Sequence, residues 1–266
     1  MTDLEIAVQG AAGGGSSSVV PGTHHWRPAL EIAVQDPVGA HMAALAGADR
    51  LELCTGLSTG GLTPSPGLVR AVVDAAGPGR VHVLVRPREG GFVYGPAEVD
   101  LMVQDVRMLT ATDGVAGVVV GALVSGGALD VNATARMVEA AGALEVTFHR
   151  AIDVCPDPLA LLDGLLELGV ARVLTSGCAA RSIDGIETIA ALAQRAGNRL
   201  QIQAGGGVRI EDFPALLAAG AAAVHLSARR QETSAGPSGP GGGSQAFDVT
   251  DPLIVTQAVA AVAALR

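Results

Sequence analysis

The stretch Glu145-Val146-Thr147-Phe148-His149-Arg150-Ala151-Ile152-Asp153 carries a short apolar strand straight into a histidine, an arginine and an aspartate. Strands that turn polar at their C-terminal ends are where parallel barrels hold their chemistry. The same switch recurs at Leu51-Glu52-Leu53-Cys54, Val83-Leu84-Val85-Arg86-Pro87-Arg88, Val173-Leu174-Thr175-Ser176, Ile202-Gln203-Ala204-Gly205-Gly206-Gly207 and Val224-His225-Leu226-Ser227. Several strands therefore aim polar groups at one place.

Between these strands lie helix-like segments with start and stop signals. Asp36-Pro37, Asp157-Pro158 and Asp251-Pro252 each set a capping carboxylate before a proline at the first helical position, and Ser65-Pro66 does the same with a hydroxyl. Gly47, Gly77, Gly114, Gly142, Gly169, Gly197 and Gly220 close the segments, because glycine accepts the left-handed conformation at a helix end without steric cost. Strands near 30–34, 50–54, 81–86, 115–121, 145–149, 172–176, 200–204 and 223–227 follow. Eight βα units of this kind predict an α/β protein with a single (β/α)8 TIM-type barrel over residues 29–266. A doubly wound open sheet is the alternative, although it has no need of eight even repeats.

Residues 10–28 and 232–246 are rich in Gly, Ser and Pro and read as flexible loops. Leu4-Glu5-Ile6-Ala7-Val8-Gln9 recurs as Leu30-Glu31-Ile32-Ala33-Val34-Gln35. Only one copy can fill the first strand of a closed barrel. The second leads without interruption into the first helix, so residues 1–28 are expected to be an extension made of a duplicated strand segment and a linker.

Composition narrows the function. A formal net charge of −9 and the lack of a basic run argue against nucleic acid, and 2% aromatic residues leave little for stacking on bases or sugars. All 17 basic residues are arginine. Schiff-base aldolase chemistry and covalent pyridoxal phosphate, or any other lysine-dependent cofactor, are therefore excluded. Cys54, Cys155 and Cys178 are too few and too widely spaced for a disulfide framework, which makes a cytoplasmic location the expectation. Neither a signal peptide nor a membrane span is expected.

Alternation along the strands puts Glu31 with Ala33, and Glu52 with Cys54, on one side. If that side is the barrel interior, two carboxylates meet Arg86 or Arg88 from the third strand, as either a structural Glu–Arg network or a ligand site. His149 and His225 end the fifth and eighth strands beside Arg150 and Asp153. A neutral imidazole there could relay protons, and nearby carboxylates would raise its pKa. Asp153 could instead cap the loop before Asp157. Gly205, Gly206 and Gly207 follow strand seven and Ser227 follows strand eight, the two loops that commonly hold a phosphate in this fold. A tight βα turn is the plainer reading of the glycines. Cys155 and Cys178 follow neighbouring strands and could pair, while His24-His25 in the linker are expected to be solvated.

Taken in order, Leu30-Glu31-Ile32, Gly47-Ala48-Asp49-Arg50-Leu51-Glu52-Leu53-Cys54, Gly60-Gly61-Leu62-Thr63-Pro64-Ser65, Arg86-Pro87-Arg88, Thr147-Phe148-His149-Arg150-Ala151-Ile152-Asp153, Leu174-Thr175-Ser176-Gly177, Gly205-Gly206-Gly207-Val208 and His225-Leu226-Ser227-Ala228 resemble the copper homeostasis protein CutC family. The resemblance spans about residues 30–228. It implies a cytoplasmic TIM-type barrel, a homo-oligomer, and a link to copper, with Cys54 at a metal position. Members credited with copper binding carry a cysteine where this chain has Ala33, and Cu(I) favours paired soft ligands. Three functions follow as expectations. The first is Cu(I) binding or copper tolerance. The second is an enzyme on a small anionic or phosphorylated metabolite, with Glu31, Glu52 and His149 as acid or base and Arg86, Arg88 and Arg150 binding charge. The third is a non-catalytic scaffold.

Overall fold

In the computed structural model, which describes residues 26–236 and 245–266, the capping signals sit where the sequence places them. Asp36 accepts from the Gly39 N–H at 2.7 Å, Ser65 from Leu68 at 3.2 Å, Asp157 from Ala160 at 3.0 Å and Asp251 from Leu253 at 2.8 Å. They start helices α1 (Pro37–Ala46), α2 (Pro66–Ala76), α5 (Pro158–Glu167) and α8 (Pro252–Ala263), each with proline at its beginning. Loss of such a cap typically costs about 1 kcal/mol. At the end of α1, Gly47 adopts φ 105°, a conformation that would strain any side chain. The remaining helices are α3 (Pro96–Thr110), α4 (Val131–Ala141), α6 (Ile186–Ala196) and α7 (Phe213–Ala218).

The strands β1 (Ala29–Val34), β2 (Arg50–Leu53), β3 (Val81–Leu84), β4 (Val115–Val120), β5 (Glu145–Phe148), β6 (Arg172–Thr175), β7 (Gln201–Gly205) and β8 (Ala223–Leu226) pair in chain order, all parallel. β8 returns to β1 through Glu31 opposite His225, so the sheet closes into an eight-stranded barrel with helices outside. The first strand is the second copy of the duplicated segment. Residues 4–9, the linker to residue 25 and His24-His25 lie outside the described residues.

Two sets of side chains hold the barrel, because strand residues alternate between faces. Ile32, Leu51, Val83, Val118, Phe148, Val173, Ile202 and Val224 face outward into one continuous buried core with the helices. Cys54, Leu84 and Val119 face inward and form a small separate apolar cluster. The hairpin of β9 (Arg229–Thr233) and β10 (Ala246–Thr250) was not anticipated. It flanks the Gly/Ser/Pro stretch expected as a loop over residues 232–246, and so replaces the two ends of that loop with strand. Gln35 ties it to the end of β1 by a 2.6 Å bond to the Asp248 carbonyl. Among the described residues, no helix is long and apolar enough to cross a membrane.

Candidate functional site

Inside the barrel the polar residues form two layers. At the N-terminal end, Arg172 donates to Glu145 at 2.9 Å, Thr147 at 3.0 Å and Gln201 at 2.9 Å, while Arg50 donates to Glu31 at 3.2 Å and Gln203 at 2.8 Å. His82 lies 3.9 Å from Glu145, and burial ahead of any charge pushes its pKa down to about 4. This plug is a packed ionic network. Sequence reasoning missed Arg50, His82, Arg172 and Gln203, although Arg50 has the same strand parity as Glu52 and Gln203 the same as Gly205.

Above the plug, at the C-terminal rim, opens a cavity of about 280 Å³. Glu52, Arg86, His149, Arg150, Gly206, Gly207, His225 and Ser227 line it, with Leu57, Leu84 and Phe92 supplying apolar wall. Most of the predicted site residues are thus brought together.

Glu31 lies just beneath. Its carboxylate accepts from His225 Nδ1 at 2.9 Å, from Arg50 and from Gln203. Burial alone would raise its pKa, but the His225 bond and the charges of Arg50, His225 and His82 together hold it well below the usual range. Its oxygens are committed, so it orients His225 rather than exchanging protons with a ligand. For His225 burial lowers the pKa, yet Glu52 and Glu31 outweigh it and the net shift is upward.

Glu52 is the opposite case. Its Oε2 is buried with no hydrogen-bond partner among the described residues, and desolvation raises its pKa to about 7 against the opposing charge of His225. A carboxyl group near neutrality can both take and give a proton.

His149 faces the cavity from β5, three strands round the barrel. Its Nδ1 accepts the Ala151 backbone N–H at 3.1 Å, so in the neutral ring the proton resides on Nε2, which is buried and unpartnered. The expectation that carboxylates would raise the pKa is corrected here. Burial and then the Arg86 charge push it down to about 3, outweighing Asp153. The ring is seated against Phe92, centroids 4.8 Å apart, and over Gly121, where a Cβ would lie 2.3 Å from the ring.

Arg86 is held rigid by the carbonyls of Gly61 at 3.0 Å and Gly90 at 2.8 Å, and its guanidinium lies over Phe92. Arg88 is not at the site. It pairs with Glu98 of α3, lies over Tyr94 and does not line the cavity; both arginines follow the end of β3 at Leu84, and the Gly61 and Gly90 carbonyls hold Arg86 at the cavity while Glu98 holds Arg88 away from it. Arg150 donates to Asp153 at 2.8 Å and to Ser176 at 3.0 Å. Asp153 also accepts from Thr175 and from the backbone of Ser176 and Cys178. It fastens the loop after β6, whereas Asp157 caps α5.

The backbone N–H groups of Gly206, Gly207, Val208 and Ser227 donate to no acceptor among the described residues. Gly206 and Gly207 take φ of 114° and 59°, and a Cβ on Gly206 would strike the Arg150 guanidinium at 2.9 Å. These free donors belong to residues that line the cavity together with Arg150, a composition that suits an anion.

As for metals, Glu31, Glu52 and His225 offer ligand atoms within 4.8 Å of one another, an oxygen and imidazole set. Cys54 lies outside the cavity lining, packed with Leu57, Leu84 and Val119, and burial followed by the Glu52 charge pushes its thiol up to about 12. Cys155 and Cys178 are free thiols, each directed at a backbone carbonyl.

A closed parallel barrel with a polar cavity at its C-terminal rim defines the class as a (β/α)8 TIM-type protein. The chain belongs to the CutC family, whose model matches residues 29–230. It is 49% identical over 202 residues to a CutC family protein of Xanthomonas campestris pv. campestris (strain 8004), covering 75% of this chain and 83% of that one. It is 39% identical over 209 residues to a CutC family protein of Pasteurella multocida (strain Pm70), covering 78% and 85%. Among solved structures it is similar to CutC from Streptococcus agalactiae, which is assigned by name to copper homeostasis, with TM-score 0.70 and 30% identity over 75% of this chain and 98% of that one.

Proposed function

We propose that this protein binds a small anionic metabolite in the rim cavity and acts on it by acid/base chemistry, with Glu52 as the proton carrier. The carrying observation is the unpartnered Oε2 of Glu52, a buried carboxylate oxygen lining a cavity that also holds cationic groups. Burying a carboxyl without a partner costs stability, and a group that destabilises the fold while facing a cavity is suited to a ligand. Arg86 and Arg150 supply positive charge. The free N–H groups after β7 and β8 supply directed donors for a phosphate or carboxylate, and His225, held by Glu31, sets the field around Glu52. A scaffold would need none of this convergence.

The family relationship also brings copper to this chain, and its residues do not fit Cu(I). That ion favours thiolate and thioether donors. The cavity offers carboxylate and imidazole, Cys54 is a buried thiol outside it, and the neighbouring strand carries Ala33. No step of the chemistry is routed through copper.

Thermal unfolding with added anions tests the reading. Millimolar inorganic phosphate or 2-phosphoglycolate should raise the melting temperature, since a ligand binding only the folded state stabilises it in proportion to RT ln(1 + [L]/Kd). Arg150→Ala should remove most of that rise. Equal melting curves with and without both anions would overturn the proposal.

A further inference from the structure

We infer that the reaction is a proton transfer at a carbon next to a carbonyl, with the Glu52 carboxylate removing the proton and the His149 Nε2–H donating a hydrogen bond to the carbonyl oxygen. This rests on the acid/base reading above and adds which bond breaks.

The argument is one of elimination among the groups lining the cavity. Hydrolysis of a glycoside by paired carboxyls needs two that are free. Only Glu52 is, because Glu31 is saturated by Arg50, Gln203 and His225. Nucleophilic catalysis by a thiol or hydroxyl needs that group activated by an adjacent base. Cys54 is outside the lining, and no hydrogen bond joins Ser227 to His225. What remains among the lining side chains is one free carboxyl, Glu52 on β2, and one neutral imidazole donor, His149 just after β5, with His225 beside them tied to Glu31 through Nδ1. Enolisation asks for that pair.

The donor is built for its task. The Ala151 N–H occupies Nδ1 and so fixes the proton on Nε2, Gly121 makes room for the ring, and Phe92 covers it. Burial and then the Arg86 charge keep the ring uncharged. A neutral imidazole stabilises an enolate oxygen by hydrogen bonding without surrendering its proton.

The step balances without a further reagent. The C–H bond breaks and its electron pair becomes the C=C bond of the enolate. The carbonyl π pair moves to the oxygen, and the proton goes to Glu52. Return of that proton to the same carbon restores the substrate; where that carbon bears a hydroxyl, passage of the hydroxyl proton to the enolate oxygen and return of the proton from Glu52 to the former carbonyl carbon isomerises it. The substrate class is accordingly a short α-hydroxy aldehyde or ketone with a phosphate or carboxylate at its end, held by Gly206, Gly207 and Arg150.

The test is isotope exchange. The full chain is incubated in D2O with dihydroxyacetone phosphate, ribulose 5-phosphate and fructose 6-phosphate separately, and loss of carbonyl-adjacent C–H signals is followed by proton NMR. Exchange is expected with at least one of them, falling at least a hundredfold in Glu52→Gln and about tenfold or more in His149→Gln. Circular dichroism and melting curves identify any variant that fails to fold. Glu52→Ala, with exchange partly rescued by added acetate, then serves as the second route. Exchange that persists in Glu52→Gln overturns the inference, as does no exchange with any of the three while 2-phosphoglycolate still stabilises the protein. In that second case the anion reading survives. Absence of both exchange and stabilisation overturns both. Exchange that needs Glu52 but is unchanged in His149→Gln overturns the role given to His149.

Discussion

His225 Nδ1 lies 2.9 Å from Oε1 of Glu31, its register partner across the seam where β8 meets β1. Barrel closure therefore sets the ring's orientation, and the bond ties up Nδ1 while the other edge of the residue lines the cavity. Because Glu31 is one of the groups that raise the His225 pKa, Glu31→Gln should lower it. Following the ring proton shifts by NMR across pH 5–9 would show the change. An unmoved titration would mean that Glu52 alone controls His225.

The plug beneath the site should matter chiefly for stability. Arg50 is the cation of a buried pair with Glu31, and removing one partner of such a pair leaves an uncompensated charge, at a cost of about 3–5 kcal/mol. Arg50→Ala should lose stability on that scale in urea unfolding. Arg88→Ala, which breaks only a solvent-screened surface pair, should lose far less.

How much of this was legible in the sequence depended on where local rules apply. Caps and helix-ending glycines fixed the eight repeats because both act within a turn of the chain. Strand parity put Glu31 and Glu52 on one face and the polar end of the eighth strand put His225 beside them, and β1, β2 and β8 are regular there. Counting on past the third strand reached Arg86, which loop carbonyls hold at the cavity, but failed at Arg88, which pairs with Glu98 of α3 instead. Parity also grouped Cys54 with Glu52, yet the thiol packs with Leu84 and Val119, an apolar layer that appears only once β2, β3 and β4 are side by side. The plug went unseen because pairing Arg172 with Glu145 requires the register of β4 to β6. The sign of the His149 shift depended first on the depth at which the ring is buried and then on Arg86 being fixed nearby by loop carbonyls, neither of which spacing reveals.

Gly121 offers a probe of the site that leaves both Glu52 and His149 unsubstituted. Its Cβ would meet His149 at 2.3 Å, so Gly121→Ala must push the ring into the cavity or shift β4. Overpacking of this kind costs about 1–3 kcal/mol. Anion-dependent stabilisation should fall together with basal stability. A variant that melts like the parent and binds 2-phosphoglycolate equally would show that the ring moves freely.

The depressed pKa of His149 has a stability consequence with a definite sign. Below its ordinary value of 6.5 the unfolded chain takes up a proton that the folded ring refuses until about pH 3. The unfolded state therefore binds more protons in that window, and stability falls as pH drops from about 6.5 towards 3, by about 1.4 kcal/mol per unit. His149→Gln should flatten this part of the pH dependence measured by urea unfolding. Glu52 acts with the opposite slope between its ordinary 4.5 and about 7, where the folded state holds the extra proton, so Glu52→Gln should steepen the rise of stability with pH. Identical pH profiles for parent and both variants would contradict the burial on which these shifts depend.

Copper is where family name and residues separate most sharply. With Ala33 in place of a thiol and Cys54 held protonated in an apolar layer, the chain should compete poorly against a Cu(I) chelator under reducing conditions, and Cys54→Ser should change little. Ala33→Cys should strengthen binding. Positions 33 and 54 sit on paired strands and both face inward, and two thiolates meet the ion's preference for few soft ligands. Copper binding would also have to draw a proton from a thiol whose pKa is near 12, so affinity in Ala33→Cys should rise with pH. Tight stoichiometric binding by the parent chain that vanishes in Cys54→Ser would reverse the conclusion and call for a second soft ligand from another copy of the chain.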